Sequence, residues 1–469
     1  MVTASVVGSG PNGLAAALTL AQAGVDVTVY EAADTPGGGA RSGEMTLPGL
    51  LHDLCSGFHP LALDTAFSHA AKLDAYGLQW AWPEIQYAHP LDDGYGAAAY
   101  RSVADTAQHL SDASWQRVFG SLTKQFPASS RDFLQPMLHM PDAPLQFANF
   151  GLRAGLPAKV LATLLGTDAA KALFAGVAAH AFRPLGSFGS AAIGVALTTA
   201  GHTYGWPVAV GGSQAIISAM LQALEAHGGT MVTGAHITSI EQLPKTDIVM
   251  FNTAPAGAVE ILGSRIPSST GNQLQRFRHG PAAATASLAV EGGIPWTYAP
   301  ARRAGTVHVG GSLPEIAFVE RQITRGIMPR NPFVLIGQQS LADPSRTSGN
   351  IHPVEAYAHV PAGYPYDVTK VILQQIQRFA PGVRERIVAQ TSRTALDLQA
   401  ENPNFIGGDI ATGSNAFTQL VFRPRAAINP YWLGAPGMYL CSAATPPGAG
   451  AHGMAGYNAA QSALTEAGF

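Results

Sequence analysis

Three glycines near the start of the chain have the spacing of a phosphate-binding turn. Gly8, Gly10 and Gly13 form the pattern Gly-x-Gly-x-x-Gly, which Pro11 and Asn12 complete. In such a turn the first glycine permits a tight bend, the second lets the backbone approach a pyrophosphate, and the third lets a helix pack against a strand. The free N–H groups at the start of that helix then bind phosphate. The pattern therefore predicts a nucleotide site.

A carboxylate follows the glycines at the distance that a dinucleotide site requires. Glu31 lies 18 residues beyond Gly13, directly after an apolar run. Its side chain can accept hydrogen bonds from both ribose hydroxyls, and its charge would repel the 2′-phosphate of NADP. These residues alone do not decide between NAD and FAD.

The segments around the glycines have the order that would position them. Residues 4–7 and 25–30 are short apolar runs typical of buried parallel strands, and residues 14–21 form a helical pattern that ends before Gly24. This order makes the motif far more specific than the glycines alone. The alternative interpretation is a glycine-rich turn without a ligand.

Later segments are predicted to join the same sheet. A helical pattern covers residues 216–224, and strands are predicted at 231–233, 236–240 and 247–251. Residues 438–441 form a further strand, which leads through a glycine-rich loop to a second helix. Alternating helices and strands favour a parallel sheet.

A second glycine cluster follows the acidic residue. Gly37 and Gly38 lie six and seven residues after Glu31, and Arg41 and Ser42 come soon after them. A domain that binds only NAD does not require this second glycine cluster. A loop with flexible glycines is the alternative interpretation.

Charge is scarce and unevenly distributed. Asp, Glu, Lys and Arg make up 12% of the 469 residues, about half the usual share, and the net charge is −3. Residues 1–25 and 426–465 contain none of them, and residues 172–224 contain only Arg183. The small net charge argues against a nucleic-acid partner, and Gly and Pro interrupt the apolar stretches too often for a membrane-spanning helix. The two cysteines indicate a reducing compartment and no disulfide framework.

Several motifs resemble those of a known family. They are His52-Asp53-Leu54-Cys55-Ser56-Gly57-Phe58-His59-Pro60, Gly205-Trp206-Pro207-Val208, Gly337-Gln338-Gln339-Ser340, Ala356-Tyr357-Ala358-His359-Val360-Pro361, Gln419-Leu420-Val421-Phe422-Arg423-Pro424 and the block from Pro436 to Ala460. On these motifs the chain resembles the phytoene desaturase-related FAD-dependent oxidoreductases, which include carotenoid desaturases and isomerases. It is most similar to their branch of pyridine nucleotide-disulphide oxidoreductase domain-containing 2 proteins. It departs from the family at Gly39, where many relatives have Arg, and at Ser442, where Gly is usual.

The resemblance implies a fold class, a cofactor and a domain organisation. The fold would be α/β, with a Rossmann-like FAD-binding domain of the glutathione-reductase/amine-oxidase type and an inserted, discontinuous α+β substrate domain. Residues 1–85, 205–265 and 426–469 would form the FAD-binding domain, and residues 86–204 and 266–425 the substrate domain. The cofactor would be FAD.

The resemblance also implies which residues contact FAD. The second glycine cluster would contact phosphate, the backbone at Ile237 would meet the adenine, and the helix beginning near Gly453 would direct its N-terminus at the N1/C2=O edge of the flavin. The predicted set is Gly8, Gly10, Pro11, Asn12, Gly13, Glu31, Gly37, Gly38, Arg41, Ser42, Ser56, Ile237, Thr253, Ser442, Ala443, Gly453 and Met454.

Three side chains are candidates for acid–base work beside the flavin. His452 lies in the C-terminal glycine loop, Tyr457 lies one turn into the following helix, and His59 follows Ser56. A histidine can exchange protons near neutral pH. The alternative is that both histidines only shape their loops. His180 is interpreted as a core or wall residue, and no His or Cys spacing indicates a metal site.

These features predict an FAD-dependent oxidoreductase acting on CH–CH bonds. It would desaturate an apolar, lipid-like or polyene-like small molecule by hydride transfer to flavin N5. The alternatives are a flavin-dependent amine oxidase, a redox-neutral isomerase and a non-catalytic FAD-binding interaction protein. No signal peptide is recognisable, so we expect a cytoplasmic protein, and the apolar segment 145–165 leaves peripheral membrane contact open.

Overall fold

The computed structural model describes residues 2–468, so the end residues of the predicted ranges 1–85 and 426–469 lie outside it. Its strands form two large sheets and two short antiparallel pairs. The strands are β1 (Thr3–Val7), β2 (Asp26–Tyr30), β3 (Ser42–Glu44), β4 (Leu51–Asp53), β5 (Trp80–Ala81), β6 (Ile85–Pro90), β7 (Gly96–Ala99), β8 (Val208–Ala209), β9 (Thr230–Val232), β10 (Ile248–Phe251), β11 (Ala282–Glu291), β12 (Ala304–Val309), β13 (Val334–Gly337), β14 (Ile351–Val360), β15 (Ile387–Arg393) and β16 (Met438–Leu440).

The helices pack on both large sheets. They are α1 (Pro11–Gln22), α2 (Ala66–Ala71), α3 (Val103–His109), α4 (Ala113–Phe133), α5 (Pro144–Ala154), α6 (Ala158–Ala162), α7 (Asp168–Ala178), α8 (Ala191–Thr203), α9 (Gln214–Ala226), α10 (Pro255–Leu262), α11 (Ser268–Gln275), α12 (Leu313–Ile323), α13 (Thr369–Phe379), α14 (Ala395–Glu401), α15 (Phe417–Val421) and α16 (Met454–Ala467).

The first sheet has five parallel strands in the order β16-β10-β1-β2-β9. The central strand β1 is buried because helices cover both faces of the sheet, as expected for an apolar run in a parallel sheet. Val7 at the end of β1 pairs with Tyr30 at the end of β2. This register places Gly8 and Glu31 side by side at the carboxyl edge, which confirms the predicted α/β arrangement of the motif.

Helix α1 packs unusually closely against its surroundings. A Cβ atom on Gly13 would stand 2.0 Å from the carbonyl oxygen of Gly8, and a Cβ atom on Gly456 would stand 1.8 Å from that of Asn12. Only glycine is compatible with either approach. The two glycines therefore fix the start of α1 between the glycine turn and α16.

The second sheet has seven strands in the order β15-β11-β14-β13-β12-β6-β7, antiparallel except for the β12–β6 pair. Side chains alternate between its two faces. One face carries a core of Ala, Val, Ile and Leu. The register places polar side chains together on the other face, which we call the polar face: Tyr87, His89, Thr306, His308, Glu355, Tyr357 and His359.

Most predicted elements are confirmed, and one is wrong. The strand predicted at 236–240 does not form. Gly234, at φ +66°, turns the chain away from the sheet after β9. The backbone N–H groups of Thr238 and Ser239 then donate to the side chain of Gln242 over 2.7 and 2.9 Å, so they are not available to a neighbouring strand.

Two further features of the fold concern membranes and metals. Among residues 2–468, no helix is long and apolar enough to cross a membrane. Within that same range, no group of three or more His, Cys, Asp or Glu side chains is arranged to hold a metal ion. In the apolar segment 145–165, α5 lies at the surface with Leu145 and Leu152 exposed and Phe150 buried.

Candidate functional site

A cavity of about 1000 Å³ runs from the carboxyl edge of the five-stranded sheet to the polar face of the seven-stranded sheet. Twelve of the predicted cofactor-binding residues line it: Gly8, Gly10, Pro11, Asn12, Glu31, Gly38, Arg41, Ser56, Ile237, Thr253, Ser442 and Ala443. The chain thus brings segments from its beginning, middle and end to one space.

The start of α1 forms one wall of this cavity. Gly10 caps the helix, Pro11 occupies its first turn, and the first intrahelical hydrogen bond runs from the Leu14 N–H to the Gly10 carbonyl oxygen over 3.0 Å. The N–H groups of Asn12 and Gly13 precede that bond and have no helical partner. The positive end of the helix dipole is therefore directed at the cavity, as phosphate binding requires.

Glu31 lies beside the glycine turn and is held rigidly. Its carboxylate accepts hydrogen bonds from the backbone N–H and hydroxyl of Ser9 over 2.8 and 2.6 Å and from the Ala33 N–H over 2.9 Å. The segment containing Ile237 runs alongside, because the Ala235 N–H donates to the Glu31 carbonyl oxygen over 2.8 Å. This arrangement can hold a ribose and a base at one end of the cavity.

The second glycine cluster covers the glycine turn from the opposite side. A Cβ atom on Gly38 would stand 3.1 Å from the Cα atom of Gly10. The Nε atom of Arg41 donates to the Gly38 carbonyl oxygen over 3.0 Å, which orients the guanidinium at the cavity wall. Among the described residues, Arg41 is the only Arg or Lys in the lining, so it supplies the positive charge for an anionic ligand.

These features fit a dinucleotide. Glycine leaves space where the backbone of the turn comes closest to its neighbours. A Cβ atom on Gly10 would fill that space, because it would stand 2.8 Å from the side-chain nitrogen of Asn252. Asn12 contributes to the lining, and its buried Oδ1 atom has no hydrogen-bond partner among the described residues. Such an unpartnered polar atom is costly unless a ligand satisfies it.

Five predicted cofactor-binding residues lie behind the lining. Gly13 and Gly37 pack against the glycine turn, and the hydroxyl of Ser42 donates to Asp53 Oδ1 over 2.6 Å. Gly453 and Met454 begin α16 just beyond Gly450 and Ala451, which do line the cavity. The structure therefore gives these five residues packing contacts and leaves their contact with a cofactor as a prediction.

The three predicted catalytic side chains also lie outside the lining. His452 is buried, and its Nδ1 atom accepts a hydrogen bond from the Met454 N–H over 3.1 Å. Burial lowers the pKa of His452 to about 4, so the ring is neutral near pH 7. Tyr457 packs against Phe67, with ring centroids 6.4 Å apart. These contacts shape the loop and the helix.

His59 lies behind the residues that line the cavity. Its Nε2 atom lies 3.0 Å from the Ser213 hydroxyl, which itself donates to the Ser56 carbonyl oxygen. The Ser213 oxygen must therefore accept a hydrogen from His59. Burial lowers the pKa of His59 to about 4. Its neutral ring thus holds the lining residue Ser56 in place through Ser213.

The far end of the cavity contains three polar residues that the sequence analysis did not propose for the site, together with His180, which it interpreted as a core or wall residue. The polar face contributes Thr306, Glu355 and Tyr357, and the turn after α7 contributes His180. The signal in the sequence was the alternation of polar and apolar residues within β12 and β14, because a strand buried on both faces normally lacks it. Apolar side chains complete this end: Phe58, Phe182, Leu197, Trp206 and Leu335.

Glu355 is the carboxylate of this end. Its two oxygens accept hydrogen bonds from Nδ1 of the buried His52 and from the Ser287 hydroxyl, the latter over 2.8 Å. Only 18% of its side chain is exposed. These contacts leave lone pairs free to face a cation or a proton donor in the cavity.

Cys55 and Tyr357 are protonated at neutral pH. Burial raises the pKa of the Cys55 thiol to about 11, and burial also raises the pKa of Tyr357 well above its usual value. Cys55 is therefore a thiol and not a thiolate nucleophile. Neither side chain adds charge to the cavity.

Comparisons with known proteins agree with this fold. Residues 6–67 match the NAD(P)-binding Rossmann-like domain family. No curated protein sequence is similar enough to count as a match.

Over its whole length the chain has the same fold as several solved enzyme structures. An oxidoreductase from Methanosarcina mazei has 14% identity and a TM-score of 0.62 over 99% of this chain and 100% of that chain. Putrescine oxidase with bound putrescine has 15% identity and a TM-score of 0.63, covering 100% and 99%. A fatty acid isomerase from P. acnes has 14% identity and a TM-score of 0.60, also covering 100% and 99%. At these identities the likeness shows a shared fold.

Proposed function

We propose that the protein is an FAD-dependent oxidoreductase that removes hydrogen from an apolar small molecule. The observation that carries the proposal is a single cavity that joins two regions. One is formed by the start of α1, Glu31 and the second glycine cluster, which we call the dinucleotide cradle, and the other is a wall of apolar side chains. A dinucleotide bound along the cradle would extend from the ribose site at Glu31 toward the apolar end. NAD and FAD both fit the first motif, and the second glycine cluster with Arg41 supports FAD.

The proposed cofactor and the chain would have separate tasks. Bound FAD would supply the hydride acceptor at N5. The chain would hold the pyrophosphate at the start of α1 and at Arg41, and it would orient the substrate between Phe182, Leu197 and Trp206. Phe182 and Trp206 are buried and Leu197 is partly buried, so these side chains would exclude water from the reacting atoms. The oxidoreductases and the isomerase that share this fold support flavin chemistry on this scaffold.

The visible absorbance of bound flavin tests the proposal. Purified protein, reconstituted with FAD, should show the visible absorption bands of oxidised flavin with a single FAD per chain. Any small molecule that copurifies should be extracted, identified and mixed anaerobically with the FAD-loaded protein. Bleaching of the flavin by an apolar molecule would support the proposal, and a colourless protein that cannot be reconstituted would overturn it.

A second candidate function is oxidation of an amine, which Glu355 favours. A carboxylate beside apolar side chains of the cavity is suited to an ammonium group. Putrescine oxidase shares this fold. Amines and neutral apolar molecules should therefore be compared as reductants of the bound flavin. Bleaching by amines alone, lost in Glu355→Gln but not in Glu44→Gln at the surface, would select this candidate over the first.

A further inference from the structure

Four histidines lie close together beneath α7 and α8, on and beside the polar face. His89, His308 and His359 are fully buried on β6, β12 and β14, and His180 lies in the turn after α7. We call them the histidine cluster. Of the four, only His180 lines the cavity. The cluster therefore reaches the proposed substrate end through one side chain.

In two members of the cluster, the hydrogen bonds show which ring nitrogen carries a hydrogen. Nε2 of His89 lies 2.7 Å from the carbonyl oxygen of Gly311, which can only accept, so this nitrogen carries the hydrogen. Burial lowers the pKa of His89 to about 4, so its Nδ1 is bare. Nδ1 of His359 lies 2.7 Å from Oε1 of Glu320 and donates to that carboxylate.

The remaining pair shares one hydrogen. Nε2 of His180 and Nε2 of His308 are 2.9 Å apart, so one ring donates and the other accepts. Burial lowers the pKa of His180 to about 3, and burial together with the neighbouring histidines holds the pKa of His308 well below its usual range. Both rings are therefore neutral at pH 7, and each carries a single hydrogen.

The surroundings of His308 decide which ring donates. Its Nδ1 is buried and has no hydrogen-bond partner among the described residues. If His180 supplied the shared hydrogen, His308 would carry its own on Nδ1, as a buried N–H without an acceptor, which folded proteins very rarely tolerate. If His308 supplies it, His308 keeps no unpaired N–H, and the N–H without a protein acceptor is that of His180, which lines the cavity. The hydrogen of His180 then lies on Nδ1.

A strained turn holds His180 in this position. Phe182 has φ +51°, a left-handed conformation that a residue with a bulky side chain rarely adopts. Its ring stacks on His359 with centroids 3.9 Å apart and on Tyr357 with centroids 6.2 Å apart. Stacking against the polar face thus maintains a costly turn directly beside the cavity, as is common at binding sites.

We propose that His180 donates a hydrogen bond from Nδ1 to a neutral carbonyl oxygen of the substrate. This inference rests on the proposed function and narrows its substrate class to an apolar molecule that carries a ketone, ester, thioester or amide. A hydrocarbon would leave the N–H without an acceptor. A carboxylate would meet the negative charge of Glu355, which lies on the same face of the sheet as His308.

Matched probes test this substrate class. The FAD-loaded protein is titrated with 4-phenyl-2-butanone, butylbenzene and 3-phenylpropanoate, while the flavin absorbance reports both FAD content and ligand binding. We expect the ketone to bind roughly 10-fold more tightly than the other two. His180→Phe should remove this preference without loss of FAD, His180→Asn should restore part of it, and the surface variant His227→Phe should keep it. Equal binding of the ketone and the hydrocarbon, tighter binding of the carboxylate, or no ketone binding would overturn the inference.

Two spectroscopic readouts do not depend on turnover. The infrared carbonyl stretch of ¹³C-labelled ketone should fall in frequency on binding to the native protein and not on binding to His180→Phe. Nitrogen NMR of ¹⁵N-histidine-labelled protein should show the hydrogen of His180 on Nδ1. A hydrogen on Nε2 of His180, or an unchanged stretch, would overturn the inference. Failure of the native protein to take up FAD would instead overturn the proposed function.

Discussion

Gly456 lies directly on the carbonyl oxygen of Asn12, so close that a Cβ atom at position 456 would stand 1.8 Å from that oxygen. This contact joins the start of α16 to the start of α1. Because α1 presents its free N–H groups to the cavity, the position of α16 determines where those groups point.

Gly456→Ala should therefore destabilise the protein and weaken FAD binding together. The added methyl group meets backbone, which cannot rotate away, so the helices must separate, at a cost of about 1–3 kcal/mol. Thermal unfolding and FAD titration measure both effects. Gly151→Ala is the matched control, because nothing lies within 4 Å of its Cβ position in α5. An unchanged melting temperature in Gly456→Ala would contradict the packing argument.

Arg41 should contribute to FAD affinity through its charge. Arg41→Met removes the only Arg or Lys of the described lining and should raise the dissociation constant of FAD about 10-fold to 100-fold, as expected for a charged hydrogen bond. Arg41→Lys keeps the charge and should lose less. Equilibrium dialysis at low and high salt measures the difference. Equal affinity of the native and Arg41→Met proteins would show that phosphate does not contact this side chain.

A buried ion pair should stabilise the frame around the second glycine cluster. Arg346 Nη1 lies 2.6 Å from Asp53 Oδ2, and both side chains are buried. Arg346→Met leaves two buried carboxylates, those of Asp53 and Asp343, without their cationic partner and should cost about 3–5 kcal/mol. The exposed pair of Arg303 and Glu84 is the control, where Arg303→Met should cost about 0–1 kcal/mol. Similar costs in urea unfolding would contradict the assignment.

Acid should destabilise the protein through its buried histidines. Burial lowers the pKa of His59, His202 and His452 to about 4, whereas an unperturbed histidine titrates near 6.5. Between these values the unfolded chain binds protons that the folded chain excludes. Stability should therefore fall as the pH decreases from about 6.5 to about 4, by roughly 1–3 kcal/mol per histidine.

Urea unfolding at several pH values measures this dependence. His202→Gln should flatten the slope between pH 6.5 and 4, and the exposed His227→Gln should leave it unchanged. A slope that is the same in both variants would show that His202 does not carry the effect.

Peripheral membrane contact stays a proposal with a direct test. Leu145 and Leu152 of α5 expose 81% and 75% of their surface, and Arg153 and Lys159 lie close by in the sequence. Apolar side chains beside cations are suited to an anionic lipid surface. Flotation with phosphatidylserine-containing vesicles should recover the native protein but less of the variant Leu145→Ser/Leu152→Ser. Equal recovery of the native protein and the variant would show that Leu145 and Leu152 do not mediate membrane contact.

The sequence predicted the strand, glycine turn and helix of the first motif well because their physics is local. Gly8, Gly10 and Gly13 act within one turn, and Glu31 follows on the adjacent strand, so spacing along the chain carries the geometry. The segment 236–240 was predicted wrongly because its apolar residues resemble a strand, while side-chain capping by Gln242 takes its backbone donors.

The far end of the cavity could not be predicted in the same way. Glu355 and His180 are far apart in the chain and meet only because the register of β14 and the turn after α7 bring them to one space. His452 looked functional from its glycine-rich neighbours, yet its contact is the N–H of Met454. Spacing does not show whether a buried histidine faces a cavity or its own backbone.

The strand order of the first sheet has a consequence for how the protein is made. β1 is synthesised first, but β16 and α16, which complete the sheet and hold α1 in place, leave the ribosome only after more than 430 residues have followed. Pairings across such long separations form slowly. The nascent chain must therefore carry an unfinished cradle while those residues are made, and tight retention of a dinucleotide would mark the chains in which β16 and α16 have docked.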